Sequence, residues 1–65
     1  MKIILNGEPV EVGGATLQAA LDEQGLGEAR IATAVNEAFV AKTARADFAL
    51  SEGDRVEVLA PMQGG

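Results

Sequence analysis

Protein chemistry most often starts from a histidine, a cysteine or an activated serine. This chain of 65 residues has no histidine, cysteine, tyrosine or tryptophan. Its single serine, Ser51, has no histidine to activate it and reads as a turn residue in Ser51-Glu52-Gly53-Asp54. Asp22-Glu23, Glu52 and Asp54 read as a solvated helix end and a turn, not as an acid–base pair. Gly13-Gly14 is followed by no Lys-Ser/Thr, so it is not a phosphate loop; Gly25 and Gly27 suit the end of a helix better than a nucleotide site. No cluster with metal-ligand spacing is visible. One reactive group is left, the carboxylate of Gly65, ionised at neutral pH. A carboxylate can attack the α-phosphate of ATP and become an acyl-adenylate, which then reacts with a sulfur or amine nucleophile. Such chemistry requires the active site of another protein, so an enzyme acting alone is not expected.

The residues around Gly65 suit delivery into such a site. Gly64 and Gly65 lack Cβ atoms, so they can enter a channel too narrow for other residues and adopt whatever backbone angles it dictates. Pro61 cannot continue a strand's hydrogen-bond ladder and stiffens the start of the segment. Met62 and Gln63 add reach, and Met62 can rest in an apolar groove. The expected organisation is a folded domain over 1–60 and a flexible arm over 61–65, with its ordering entropy offset at docking.

The elements that must carry this arm follow from local pattern. "KIIL" (2–5) and "PVEV" (9–12) flank Asn6-Gly7, a strong hairpin signal, and Pro9 implies an edge strand. "TLQAALDEQGL" (16–26) has a helical period, with Leu17, Ala20 and Leu21 on one face. Thr16 is its expected N-cap, Gly25 its left-handed end residue and Leu26 the hydrophobic contact that follows. The helix proper is expected to run nine or ten residues. "IATAVN" (31–36) alternates, Asn36-Glu37 reads as a turn and "AFV" (38–40) as a short fourth strand. "AKTARADFAL" (41–50) reads as a short 3₁₀ or helical turn anchored by Phe48 and Leu50. "RVEVLA" (55–60) is a last strand with Val56 and Val58 inward. Hairpin, helix, strand, short strand, turn and strand make an α+β fold, a mixed sheet of four to five strands with one main helix on one face. With the first and last strands parallel and central, the order suggests the ubiquitin-like β-grasp.

Alternation also says what the open face of that sheet carries. If Ile3 and Leu5 face the helix, Ile4 faces away. Glu57 and Leu59 then lie outside, as do Ala32 and Ala34. Ile4, Ala32, Ala34 and Leu59 are therefore the candidate partner-binding surface, although isolated apolar residues are also ordinary on protein surfaces.

Composition narrows the partners. Almost half the chain is apolar, enough for one core in a chain that has no cysteine to staple it. The net charge is −5, and the five basic residues, Lys2, Arg30, Lys42, Arg45 and Arg55, are scattered. A nucleic-acid partner is not expected, since binding a polyanion needs clustered cations. "MKIILNGEPV" turns polar after three apolar residues, and no stretch approaches bilayer length. The expectation is a soluble, cytoplasmic protein with no membrane partner.

Four segments, "IILNGEPVEV", "ATLQAALDEQGL", "TAVNEAFV" and "EGDRVEVLAPMQGG", together resemble the ThiS family, the sulfur carriers of thiamine biosynthesis. The block 52–65 carries the resemblance best: an EGD turn, an apolar strand and Gly-Gly in the family's spacing. The resemblance implies a β-grasp fold and adenylation of Gly65 by a ubiquitin-activating-like adenylyltransferase using ATP and magnesium, both held by that partner, with no cofactor bound by this chain. It implies sulfur from a donor such as a cysteine desulfurase, a thiocarboxylate at Gly65, and transfer of the sulfur by thiazole synthase into the thiazole ring. Gly64 and Gly65 match the family's motif directly. Where the family often reads Val-Pro-Arg and then Trp, this chain has Val40-Ala41-Lys42 and Arg45, so a partner contact of that loop does not carry over. Other functions fit the same residues. A molybdopterin synthase small subunit uses the same chemistry in chains that tend to be longer. A protein modifier would join Gly65 to a lysine. A non-covalent interaction domain would use only the sheet face.

Overall fold

The computed structural model describes residues 1–27 and 30–60. Five strands, β1 (Lys2–Leu5), β2 (Glu8–Glu11), β3 (Ala32–Val35), β4 (Ala38–Val40) and β5 (Arg55–Leu59), form one sheet in the order β2-β1-β5-β3-β4. β1 and β5 pair parallel, and the other neighbours pair antiparallel. Helix α1 (Leu17–Glu23) packs on one face and a 3₁₀ helix (Lys42–Asp47) precedes β5. This is the α+β, ubiquitin-like β-grasp expected from the element order.

Local chemistry explains the turns. Asn6 and Gly7 have φ of 48° and 87°, the doubly left-handed turn whose twist matches two-residue hairpins. Pro9 lies opposite Ile4 on β2, an edge strand, where its missing N–H costs no ladder bond. Asn36 and Glu37, with φ of 50° and 74°, make the same kind of turn between β3 and β4.

The helix is shorter than its sequence pattern. It runs seven residues, because Thr16 and Gln24 to Leu26 are caps and not helix. Thr16 Oγ1 accepts the Ala19 N–H at 3.2 Å. Gly25, at φ 77°, donates to Asp22 O, and Leu26 donates to Leu21 O at 2.8 Å. These crossed bonds satisfy carbonyls that the helix end would otherwise leave open. The last helical residue also ties down the loop before the helix: Glu23 Oε1 accepts Gly13 N–H at 2.9 Å and Oε2 accepts Gly14 N–H at 2.6 Å.

Ile3, Val35, Val40 and Val56 from the sheet meet Leu17, Ala20 and Leu21 from the helix in one core, completed by Val12 and Leu50. The segment after the 3₁₀ helix anchors the helix start. Leu17 N–H donates to Phe48 O at 2.9 Å and Leu50 N–H to Ala15 O at 2.8 Å. Leu50 is buried and Phe48 half-buried, as the sequence suggested.

Candidate functional site: the outer sheet face and the root of the arm

The expected arm, Pro61, Met62, Gln63, Gly64 and Gly65, lies outside the described residues. The sheet that would carry it is described up to Ala60, one residue beyond β5.

The outer face is fixed by the pairing register. Ala32 lies opposite Leu59, and Ala34 lies between Glu57 on β5 and Phe39 on β4. Among the described residues Phe39 and Leu59 are the large apolar residues most open to water, at 72% and 69% exposure. Two bulky groups thus flank two small alanines next to the residue from which the chain leaves the sheet.

Ile4 shares the face but not this cluster. It pairs with Arg55, at the other end of β5 from Leu59, about 13 Å along the strand at a rise of ~3.3 Å per residue. Charged Arg55 and Glu57 come between, and Arg55 Nη2 lies 3.5 Å from Glu37 Oε2. Ile4 itself is half-buried. Alternation put all four residues on one face, but how far apart they lie depends on the β1–β5 offset, which no local pattern encodes. Phe39 was not among the residues expected on this face. Its signal was available: with Val40 inward, Phe39 must point outward.

The acidic residues are put to structural use. Asp54 Oδ2 accepts Ser51 N–H at 2.8 Å, and Asp54 Oδ1 accepts Asn36 Nδ2 at 3.0 Å. Glu52 Oε1 accepts Lys2 N–H at 3.1 Å, and Gly53 fits the turn with φ of 85°. The EGD turn therefore locks the entrance of β5 to β1 and to the β3–β4 turn. Arg45, in the loop where the chain departs from the family pattern, is only 2% exposed and donates to Thr33 Oγ1 and Ile31 O. Among the described residues no group of three or more histidine, cysteine, aspartate or glutamate side chains is placed to hold a metal. Among them, too, no helix is long and apolar enough to cross a membrane.

The described residues offer a sheet with an apolar strip beside Ala60. Known proteins share the fold. The ThiS family model matches residues 3–65. The chain is 43% identical over 61 residues to the Sulfur carrier protein ThiS of Thermus thermophilus, spanning 94% of this chain and 95% of that one. It is 33% identical over 66 residues to the Thiazole synthase of Paramagnetospirillum magneticum, a match that spans 100% of this chain but only 20% of that protein. The crystal structure of the thiamine biosynthesis protein ThiS from Geobacter metallireducens superposes with a TM-score of 0.83 at 28% identity, covering 100% of both chains. The NMR structure of a thiamine biosynthesis protein from the same organism gives 0.76 at 28% identity, covering 100% of this chain and 88% of that one. The resemblance read from the sequence is thereby confirmed, and the chain belongs to the ThiS family, the sulfur carriers of thiamine biosynthesis.

Proposed function

We propose that this chain carries sulfur as a thiocarboxylate on Gly65, made and used by partner enzymes. A Gly65 carboxylate oxygen attacks the α-phosphorus of ATP in a ubiquitin-activating-like adenylyltransferase, and pyrophosphate leaves. ATP and magnesium sit in that partner. The outer sulfur of a persulfide on a donor such as a cysteine desulfurase then attacks the acyl carbon, and AMP leaves. A thiol next attacks the donor's sulfur in the resulting acyl disulfide, which frees the thiocarboxylate on Gly65 and leaves a disulfide between thiol and donor. Thiazole synthase takes the sulfur from the thiocarboxylate. The observation that carries this reading is the family match, which runs through the last strand and on to Gly65.

Two further facts support it. At up to ~3.5 Å per residue, the five residues after Ala60 reach about 17 Å from the sheet, enough to enter a deep site while the body stays outside. The match to one fifth of a thiazole synthase means that a domain like this one occurs within such an enzyme, which favours thiazole synthase as the acceptor. In this reading the cluster of Ala32, Ala34, Phe39 and Leu59 docks the partners and the arm presents the carboxylate. Ile4 contributes at the margin.

Complementation tests the proposal. A strain lacking this gene should require thiazole or thiamine, and the chain should relieve that requirement. The chain with one alanine added after Gly65 should not. A molybdoenzyme defect instead would favour the molybdopterin role. Conjugates of higher mass that vanish on deleting Gly65 would favour the modifier. Rescue by the extended chain, untrimmed, would leave only a non-covalent role.

A further inference from the structure

The parallel ladder between β1 and β5 is longer than the β1 main chain. Ile4 N–H donates to Asp54 O and Asn6 N–H to Val56 O, both at 2.9 Å, a regular step of two residues. The main chain then turns away at Asn6-Gly7. The next rung is made by a side chain: Asn6 Oδ1 accepts the Val58 N–H at 2.8 Å, and Asn6 Nδ2 donates to Val58 O at 3.3 Å. A primary amide has the donor and acceptor of a peptide group, so it replaces the missing strand residue. On the other edge Leu59 is paired with Ala32. The last two residues of β5 are thus gripped from both sides, and Ala60 follows directly.

Few residues can take this place. φ of 48° admits asparagine, aspartate and glycine readily and most others poorly. Glycine makes the turn but no rung. Aspartate still accepts the Val58 N–H but sets a second acceptor against the Val58 carbonyl.

We propose that Asn6 is a positioning residue, whose amide fixes the direction in which the arm bearing Gly65 leaves the sheet. For its effect on chemistry the proposal rests on the carrier reading above. A fixed root narrows the volume the arm explores, raising the share of docked complexes in which the carboxylate stands at the activating site. Docking by the sheet face sets KM; presentation by the arm sets kcat.

The test compares the full chain with Asn6→Gly and Asn6→Asp. Thr16→Ala is the control: it removes a helix cap that touches neither Asn6 nor β5. NMR relaxation and amide exchange read the root directly. In Asn6→Gly, exchange at Val58 should quicken about tenfold or more and order should fall at Leu59 and Ala60. Asn6→Asp should lie between, and Thr16→Ala should match the original chain. Pyrophosphate release with ATP, magnesium and the adenylyltransferase reads the consequence. Asn6→Gly should lower kcat roughly threefold or more with KM held, and Asn6→Asp should restore part of it. Unchanged exchange at Val58 and unchanged order at Leu59 and Ala60 in Asn6→Gly would overturn the proposal. So would a fall in kcat that Thr16→Ala reproduces. If the original chain is itself not adenylated, the carrier reading fails, and the NMR measurements still decide whether Asn6 holds the root.

Discussion

Arg45 lies beneath the sheet with its Nε donating to Thr33 Oγ1 at 3.1 Å, and both residues are 2% exposed. The Thr33 hydroxyl in turn donates to Val40 O at 2.9 Å, so one oxygen joins the 3₁₀ helix to two strands. Arg45 Nη2 donates to Ile31 O at 2.7 Å. Buried charge is costly unless every polar group finds a partner, and among the described residues no buried side-chain nitrogen or oxygen lacks one.

Thr33→Val keeps the shape and removes the hydroxyl. It leaves Arg45 Nε without its acceptor and removes the side-chain donor to Val40 O. The expected cost is about 2 kcal/mol, a fall in melting temperature of roughly 10 °C. Arg45→Met should cost less, since the hydroxyl keeps its bond to Val40. The double variant should lose clearly less than the sum of the two single losses. Thermal unfolding of the four proteins checks this, and strict additivity would show that the two side chains do not work as a unit.

Phe39→Ala and Leu59→Ala should change stability by no more than about 0.5 kcal/mol, because both side chains already face water. If the outer face docks the partners, each should weaken binding of thiazole synthase by at least about 1 kcal/mol, or fivefold in Kd. Ile4→Ala should affect binding less, standing at the far end of β5. Calorimetric titration of the folded variants separates these outcomes.

Gly14→Ala and Gly13→Ala make a matched pair. A Cβ on Gly14 falls on the Cβ of Ala19 and lies 3.1 Å from Glu23 Oε2, whereas on Gly13 it meets that carboxylate at an ordinary 3.6 Å. Helix α1 cannot move away without loosening Glu23's grip on both N–H groups. Gly14→Ala should cost about 1–3 kcal/mol and Gly13→Ala much less. Denaturant unfolding gives both numbers, and equal losses would mean that the loop yields freely.

Gly64→Val should leave unfolding untouched and lower kcat/KM for adenylation at least about tenfold, by about 1.4 kcal/mol in the transition state. A branched side chain restricts backbone angles and widens the arm, which the proposed threading into a narrow channel would not tolerate. Adenylation at the original rate would show that no narrow channel is involved.

The sequence revealed those parts of the fold that neighbouring residues decide. Asn6-Gly7 set the hairpin, Thr16 and Gly25 bounded the helix, and alternation sorted Thr33 and Val35 from Ala32 and Ala34. Parts decided by distant residues were hidden. The offset of β1 against β5 separates Ile4 from Leu59, and it arises from the whole sheet. Arg45 stood in the sequence only as one of five scattered cations, because its acceptors, Thr33 and Ile31, are brought near only by the packed fold. Asn6 read as a turn former, which it is; its second role appears only when Val58 comes alongside. Phe39 was legible but overlooked, since one large side chain in a three-residue strand gives a weak pattern.

The decisive measurement is the mass of the peptide ending at Gly65, from cells that also express the adenylyltransferase and the sulfur donor. One sulfur should replace one oxygen on Gly65. A terminus that stays unmodified where another ThiS protein is converted would rule out the carrier role.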